Sequence, residues 1–488
     1  MNQTQEIEIF STGMTTDLRK VIRVNRKILR PFQSLQHFDV YSDRLVPKRD
    51  WVLDSTATTN KLTRFSFFDD VSGYTLWGLG VNGTSRCLLL KKDNTNPFTG
   101  VWNTPSNNVT TAASSSNAFL FGYKGYLYFP SSNGLNRYQV STSTMTEGWQ
   151  SGTFTVAPVI HPRTGAAYFF TGNSIYEVDP TSTWVGLVQQ LPANMTITTA
   201  SIQGNNLAIG AAPLNGNDNS TVYLWDLSVT SSPTSINFTE SIDWGKGQLA
   251  HLSYILGNLV GISQEGIDQQ QSINKGRMVS RTYSSTVAQE VNYIKADAVI
   301  AAPIVATNYQ DGEKLFFPAS MPLLTDQRIG IWAVDGSGNF TIDAIGPTAE
   351  AGQRIVGLYR LGKAWFVAFG DGNVYRTNDQ ASYTVAAIME TTVYGDRFNT
   401  SQLVGANVGF EKLTSGQSVT LKYKLPEDTS WTLMKTLSTA GARELEALGT
   451  AMKQDSPFNE YQFRIESVGA TITGLSWTTE DFDTNTYG

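Results

Sequence analysis

Cysteine and histidine are scarce in this chain, and each shortage excludes a class of site. The one cysteine in 488 residues, Cys87, rules out an intrachain disulfide framework and a thiolate metal cage. Because Cys87 lies in an apolar run before Leu88, we predict a buried strand residue rather than a reactive thiol. The three histidines, His37, His161 and His251, show no metal-ligand spacing. The sequence therefore indicates neither a zinc site nor a histidine-based catalytic triad.

Charged residues are also few, at 16% of the chain against about a quarter in an average protein. Serine, threonine, asparagine and glutamine supply the polar surface instead. A surface of this kind suits a subunit that buries much of itself in an assembly, and it also occurs in secreted β-proteins. The net charge of −6 argues against nucleic-acid binding by the chain as a whole.

Long hydrophobic runs are missing as well. The longest nearly uncharged apolar run, Ala298–Ala306, is far too short to span a bilayer and contains Pro303. The first ten residues lack the basic-then-apolar pattern of a signal peptide. We expect no membrane span and a protein that is made in a cytoplasm and kept there until it is released.

Glycine and aromatic residues, by contrast, are plentiful and follow a pattern. Between Phe119 and Val140, three short β-like runs are joined by turns at Lys124-Gly125 and Ser132–Gly134. This arrangement predicts a small antiparallel meander. One such meander cannot bury its own apolar face in water, so it requires further copies.

Similar units recur along the chain, each with a glycine in its first turn. These glycines are Gly73, Gly125, Gly165, Gly204, Gly257, Gly312 and Gly362. Their mean spacing of about 48 residues is typical of four-stranded propeller blades, so we predict a seven-bladed β-propeller over residues 61–389. A stacked β-sandwich without closed symmetry is the alternative. The insertions at Pro213–Ser220 and Gln264–Gly276 leave the blade count open.

The segment before the repeats, residues 1–60, is predicted to be an extended arm with an entry strand. It carries nine basic residues: Arg19, Lys20, Arg23, Arg26, Lys27, Arg30, Arg44, Lys48 and Arg49. Such a run suits a contact with DNA or with an acidic neighbouring subunit. A solvated arm that lies on the protein's own surface would show the same composition.

The segment after the repeats, residues 390–488, alternates polar and apolar residues over short stretches about ten residues apart. Val419–Lys424, Tyr461–Ile465 and Ile472–Trp477 are the clearest of them. This pattern predicts a small β-sandwich, with Ala440–Met452 as a helical or irregular crossover. The predicted fold class is thus all-β, with an N-terminal arm, a propeller and a C-terminal sandwich.

Four stretches invite a chemical interpretation, and each has a simpler one. Thr377–Tyr383 resembles the Asp-box turn of sialidase-type propellers, but Ala381 replaces the expected glycine, and such boxes are scaffolding. Asp335–Asn339 and Asn215–Asn219 lack the alternating carboxylates of calcium loops, so hairpin turns are expected. The fourth is a pair of tryptophans that could stack on sugars, Trp431 and Trp477, although their alternation with polar residues indicates core positions.

No phosphate-binding glycine loop occurs either. We therefore predict no catalytic residue, no cofactor and no metal.

Two parts of the chain resemble structural proteins of tailed-phage particles. Near the N-terminus these are Phe10–Gly13, Pro31–Val40 and Pro47–Arg49, which precede a propeller. The C-terminal sandwich resembles the domain that follows a propeller in many phage virion proteins. The matching segments are Leu413–Lys424, Ser430–Leu433, Thr439–Gly441, Phe458–Ile465 and Ile472–Trp477.

The resemblance implies a non-enzymatic structural protein in the tail of a phage particle, made in the host cytoplasm. It suggests a ring-forming homo-oligomer, such as a nozzle or tail-tip subunit, that contributes to tail assembly and the DNA exit route. Its partners would be other virion proteins, such as tail and adaptor subunits. A host-surface carbohydrate-binding adhesin and a propeller glycoside hydrolase are the alternatives.

Overall fold

The chain divides into two compact units. The terminal unit comprises residues 1–50, 339–345 and 380–488, and the central unit comprises residues 51–338 and 346–379. The structure is a computed structural model, and it describes residues 2–7, 22–24, 27–29, 32–36, 38–41, 44–48, 50–56, 60–70, 73–82, 86–92, 100–105, 108–110, 119–214, 219–228, 237–265, 277–283, 287–295, 309–310, 312–320, 328–362, 364–377, 386–395, 401–448 and 460–481.

Six strands of the terminal unit come first in the chain. They are β1 (Asn2–Ile7), β2 (Ile22–Val24), β3 (Lys27–Leu29), β4 (Phe32–Gln36), β5 (Phe38–Tyr41) and β6 (Arg44–Pro47). Strands β2 and β3 pair only with each other among the described residues, with Val24 opposite Lys27.

The central unit begins with β7 (Trp51–Thr56) and continues as a series of short antiparallel sheets. The first sheet contains β8 (Asn60–Asp70), β9 (Gly73–Asn82), β10 (Cys87–Lys92) and β11 (Trp102–Asn103). The second contains β12 (Phe121–Tyr123), β13 (Tyr126–Ser131), β14 (Gly134–Gln139) and β15 (Thr144–Gln150). The third contains β16 (Val156–Ile160), β17 (Ala167–Thr171), β18 (Ser174–Val178) and β19 (Trp184–Gln190).

Four more sheets follow the same plan. The fourth contains β20 (Met195–Gln203), β21 (Asn206–Pro213), β22 (Ser220–Trp225) and β23 (Glu240–Gly245). The fifth contains β24 (Gln248–Ile255), β25 (Asn258–Glu265), β26 (Arg277–Tyr283) and β27 (Gln289–Lys295). The sixth contributes β28 (Tyr309–Gln310), β29 (Lys314–Ser320) and β30 (Ile329–Asp335) to this unit, while β31 (Phe340–Ile345) groups with the terminal unit.

The seventh sheet shows how the series closes. After a short 3₁₀ helix (Thr348–Glu350), it contains β32 (Ile355–Leu361), β33 (Ala364–Phe369) and β34 (Asn373–Thr377). Its outer strand is β7, paired antiparallel with β34. Sequence analysis assigned Trp51–Thr56 to the N-terminal segment, whereas the register places it in the last sheet.

Apolar clusters between neighbouring sheets make the series a ring. Leu62 and Leu88 of the first sheet share one buried cluster with Phe366 and Val374 of the last. Comparable clusters join the sheets from the first to the fifth. Ring contacts join the remaining sheets. His251 of the fifth sheet packs against Phe317 of the sixth, and Phe316 of the sixth packs against Trp365 of the seventh. The predicted all-β fold with a seven-bladed propeller is confirmed.

The seven repeat glycines all lie at the connection between the first and second strands of their sheets. Each has a positive φ, between 59° and 118°. At the turn between β12 and β13, Lys124 has φ 49° and Gly125 has φ 82°. Two successive positive φ values are the signature of a type I′ hairpin turn. The two insertions lie in strand connections, β21 to β22 and β25 to β26, so neither adds a blade.

The terminal unit contains two six-stranded sheets. Its later strands are β35 (Ala387–Thr391), β36 (Tyr394–Gly395), β37 (Ser401–Phe410), β38 (Ser418–Lys424), β39 (Thr432–Leu437), β40 (Glu444–Leu448), β41 (Glu460–Val468) and β42 (Ile472–Asp481). One sheet has the order β40-β37-β42-β6-β5 with β1 beside β42, and the other has the order β39-β38-β41-β35-β4 with β36 beside β41.

The two sheets pack face to face as a β-sandwich. Trp477 on β42 is 2% exposed and contacts Tyr394 and Phe463 of the opposite sheet, with ring centroids 4.6 and 5.2 Å apart. Strands β4, β5 and β6, which fall within the predicted arm, supply members of both sheets.

The crossover predicted at Ala440–Met452 is wrong at Glu444–Leu448, and residues 449–452 lie outside the described residues. Glu444–Leu448 is an edge strand, and it pairs with β37. Its residues favour helix, but Leu445 and Ala447 are buried while Glu444 and Glu446 are exposed. Burial of the alternating apolar side chains against the sandwich overrides the local preference.

Candidate functional site

A cavity of about 340 Å³ lies beside the first strands of the third to sixth sheets. Its lining comes from β16, β20, β24 and β28 and consists of small or apolar side chains with a few hydroxyls, among them Val159, Ala200, Thr198 and Leu252. The most polar lining group is the amide of Gln310. The described lining therefore provides no charged group that could act as an acid, a base or an anionic metal ligand.

The two histidines among the described residues, His161 and His251, are packed in the interior. His161 is buried, and its Nε2 lies 3.0 Å from the carbonyl oxygen of Asn205. His251 is also buried and packs against Phe317. Burial lowers the pKa of His251 to about 3. His37 lies outside the described residues.

We expect acidification to destabilise the propeller through His251. The unfolded chain binds a proton near pH 6.5, whereas the folded chain does so only near pH 3. Stability is therefore lost as the pH falls from 6.5, by about 3 kcal/mol between pH 7 and pH 4. The variant His251→Phe should lose less stability over that interval, as measured by urea unfolding at each pH. Ser253→Ala, in the same strand, is the control; equal pH slopes for His251→Phe and the wild type would contradict the prediction.

The other candidates for metal or redox chemistry also have structural roles. Asp335 Oδ1 accepts a hydrogen bond from the Ser337 amide at 2.9 Å, which forms a hairpin turn as predicted. Burial, together with the charge of Glu147, raises the pKa of the Cys87 thiol to about 11. Within the described residues, no group of three or more His, Cys, Asp or Glu side chains could hold a metal ion. Residues 215–218 and 378–383 of the other two motifs lie outside the described residues.

The two tryptophans named as sugar-stacking candidates differ in their surroundings. Trp477 is core, and its Nε1 donates to the Tyr461 hydroxyl at 2.7 Å. Trp431 is half-buried, with Lys424 Nζ and Arg464 Cζ each 5.9 Å from its ring. Only Trp431 of this pair therefore retains a surface suited to ligand contact.

A buried ionic cluster joins the first and last sheets of the propeller. We call Asp54, Lys92, Trp102 and Arg376 the closure cluster. The Asp54 carboxylate accepts hydrogen bonds from Lys92 Nζ, from Arg376 Nε at 3.0 Å and from Trp102 Nε1 at 3.0 Å. The side chains of Asp54 and Lys92 are 4% and 0% exposed. The cluster holds β7 in place and closes the ring.

A second cluster lies between the second and third sheets. It consists of Tyr126, Arg137, Trp149, Tyr176 and Trp184, and we call it the arginine–aromatic cluster. The Arg137 guanidinium carbon lies 4.9 Å from the Tyr126 ring centre and 4.4 Å from that of Trp149. Trp149 meets Trp184 edge to face at 5.5 Å, and Tyr176 stacks on Trp184 at 5.3 Å. All five side chains are half-buried.

A β-bulge turns Trp149 into this cluster. The pairing of β14 with β15 shifts register between Leu135 and Arg137. Gly148, with φ 56°, lies in the shifted stretch, and its amide donates to Asn136 Oδ1 at 2.9 Å. Bulges commonly re-aim a side chain in this way.

Sequence reasoning missed both clusters. Asp54 and Arg376 are 322 positions apart, and no local pattern marks either as buried. The only sequence signal was the density of aromatic residues between Phe119 and Trp184.

Solved structures that are similar to this chain include three with a TM-score of 0.40. No family model and no curated protein matches the chain. The computationally designed Ika8 protein matches with TM-score 0.40 and 13% identity, over 67% of this chain and 99% of that one. The WD40 domain of Neurospora crassa Pan2 matches with TM-score 0.40 and 9% identity, over 67% and 95%. BamB from Moraxella catarrhalis matches with TM-score 0.40 and 14% identity, over 74% and 98%.

Within the described residues, no helix is long and apolar enough to cross a bilayer.

Proposed function

We propose that this chain is a non-enzymatic structural subunit of a tailed-phage particle, placed in the tail as a ring-forming nozzle or tail-tip component. The observation that carries the proposal is the domain order, a propeller followed by a β-sandwich, together with the virion-like segments. Those segments coincide with sandwich strands: Val419–Lys424 is part of β38, and Ile472–Trp477 is part of β42.

The chemistry of the described residues supports a scaffold. The described cavity lining is uncharged, the two described histidines are packed in the interior, and the closure cluster fixes the ring. A rigid disc of this kind presents loops to neighbours without needing a reactive centre. Its partners in the particle would be other tail or adaptor subunits.

Mass spectrometry of purified particles tests this proposal. We expect peptides of this chain in intact, nuclease-washed virions and in isolated tails. Absence of the chain from particles that are otherwise complete would overturn it. Release of sugar from host polysaccharide by the purified protein would instead favour the hydrolase alternative.

The basic arm is proposed to contact DNA or an acidic neighbouring subunit within the particle. Arg23 and Lys27 lie in the paired positions of the β2–β3 hairpin. An isolated two-stranded hairpin is marginally stable, which favours a role completed by a partner. If the chain binds duplex DNA and its affinity falls steeply as the salt concentration rises, the arm contacts DNA, because binding to phosphates releases counterions. No binding at low salt would contradict the DNA contact.

An adhesin that binds carbohydrate is the second candidate function, and the half-buried Trp431 favours it. We expect Trp431→Ala to abolish glycan-array binding if this role holds, because the ring is the stacking surface. Val101→Ala, at an exposed position of the propeller, is a control that should leave binding unchanged. Wild-type protein that binds no glycan on the array would contradict the adhesin role and leave the virion proposal intact.

A further inference from the structure

We propose that the arginine–aromatic cluster is a subunit interface at which Arg137 receives a carboxylate side chain from a second copy of this chain. This inference rests on the proposed ring-forming function and gives the ring one of its contacts. The contact is heterologous, since the arginine of one copy meets an acidic residue from a different patch of the next. Repetition of such a contact closes a ring when the rotation between copies permits it.

The geometry of Arg137 favours such a contact. Tyr126 and Trp149 lie on the guanidinium at 4.9 and 4.4 Å, so the plane of the fork is held in position. A guanidinium whose orientation is fixed by rings still offers its edge, which matches a carboxylate with two parallel hydrogen bonds. Arg137 is therefore pre-organised for a planar anion.

Arg137 lacks a counter-charge among the described residues. Within that part of the chain it makes no ion pair, and it lies against the Tyr126 and Trp149 rings and interacts with the Tyr128 hydroxyl. Two other arginines of the propeller, by contrast, pair with carboxylates: Arg376 with Asp54 at 3.0 Å, and Arg281 with Glu265. A carboxylate from outside the chain would supply this counter-charge to Arg137.

The composition of the surface also suits an interface. Tryptophan, tyrosine and arginine are the residues that dominate the energetics of protein interfaces. Trp149 and Trp184 of the cluster lie on β15 and β19, the outermost strands of their sheets. Val185, next to Trp184 in the sequence, is 56% exposed.

Charge complementarity points to a second copy as the occupant. The chain has 42 acidic and 36 basic residues, so acidic groups are in excess. Exposed acidic side chains such as Glu427 and Glu446 lie in the sandwich. A ring that is built from one kind of subunit therefore carries both the arginine and the acidic side chain that the contact needs.

Sedimentation velocity of the full-length chain tests the interface. We expect the wild type to self-associate at micromolar concentration and Arg137→Met to raise the dissociation constant at least about tenfold. Arg163→Met, which removes an exposed arginine elsewhere on the propeller, should associate like the wild type. Val185→Glu, at an exposed position, should weaken association without disturbing the fold, and it covers the case in which Arg137→Met unfolds.

Two results would overturn the inference. One is a wild-type chain that stays monomeric on its own, which would assign the site to a different partner such as another virion protein or an acidic saccharide. The other is equal association of the wild type, Arg137→Met and Val185→Glu. Either result leaves the proposed function standing if the chain is still found in virions. Absence of the chain from virions would remove the function even if the copies self-associate through Arg137.

Discussion

The variant Asp54→Ala is expected to lower the free energy of unfolding of the propeller by about 3–5 kcal/mol. The substitution removes the carboxylate and leaves Lys92 and Arg376 enclosed, with side chains 0% and 11% exposed. Breaking a buried ion pair from one side costs more than the pair itself contributes, because an uncompensated charge stays in the interior. Asp54 also lies on β7, so the loss falls where the ring closes.

Urea unfolding followed by tryptophan fluorescence measures this effect. The double variant Asp54→Leu with Lys92→Met should be less destabilised than Asp54→Ala, since it removes both charges of the tightest pair. A double-mutant cycle with the single variants Asp54→Leu and Lys92→Met measures the coupling free energy between Asp54 and Lys92. A loss below about 1 kcal/mol for Asp54→Ala would show that the cluster is not what closes the ring.

The variant Trp477→Ala is expected to destabilise the sandwich by about 3–5 kcal/mol. The indole fills the space between the two sheets, where it contacts Tyr394 and Phe463. Its removal leaves a cavity and also deprives the Tyr461 hydroxyl of its donor at 2.7 Å.

Trp431→Ala is the matched control, because the same side chain is removed from a half-buried site in the same unit. Its cost should stay near 1 kcal/mol or less, in line with substitutions at the surface. Thermal unfolding monitored by near-ultraviolet circular dichroism compares the two. Equal destabilisation by both variants would contradict the assignment of Trp477 to the core and Trp431 to the surface.

The repeat was accessible to sequence reasoning because it is local. Each of these turns needs a positive φ, and glycine adopts it without strain, so Gly125 and its six counterparts mark every blade. Alternation of polar and apolar residues likewise located β38 and β41 in the sandwich. The same local reasoning failed at Glu444–Leu448, where helix-favouring residues form an edge strand because the sheet buries two of them.

The sites depend on contacts that no local pattern records. Asp54 meets Arg376 across 322 positions because the first strand of the central unit completes the last sheet. Arg137 and Trp149 meet because a bulge at Gly148 shifts the register of one strand. Neither event leaves a signature in the neighbouring residues.

The all-β class, the seven turns and the scarcity of reactive residues follow from the sequence, since turn chemistry, alternation and composition act over a few positions. The folded chain settles that β7 closes the ring, that Trp477 rather than Trp431 is core, and that Arg137 has no carboxylate partner among the described residues. Those outcomes depend on distance and burial in three dimensions, because a charge or a ring acquires its energetic role from the neighbours that folding brings to it.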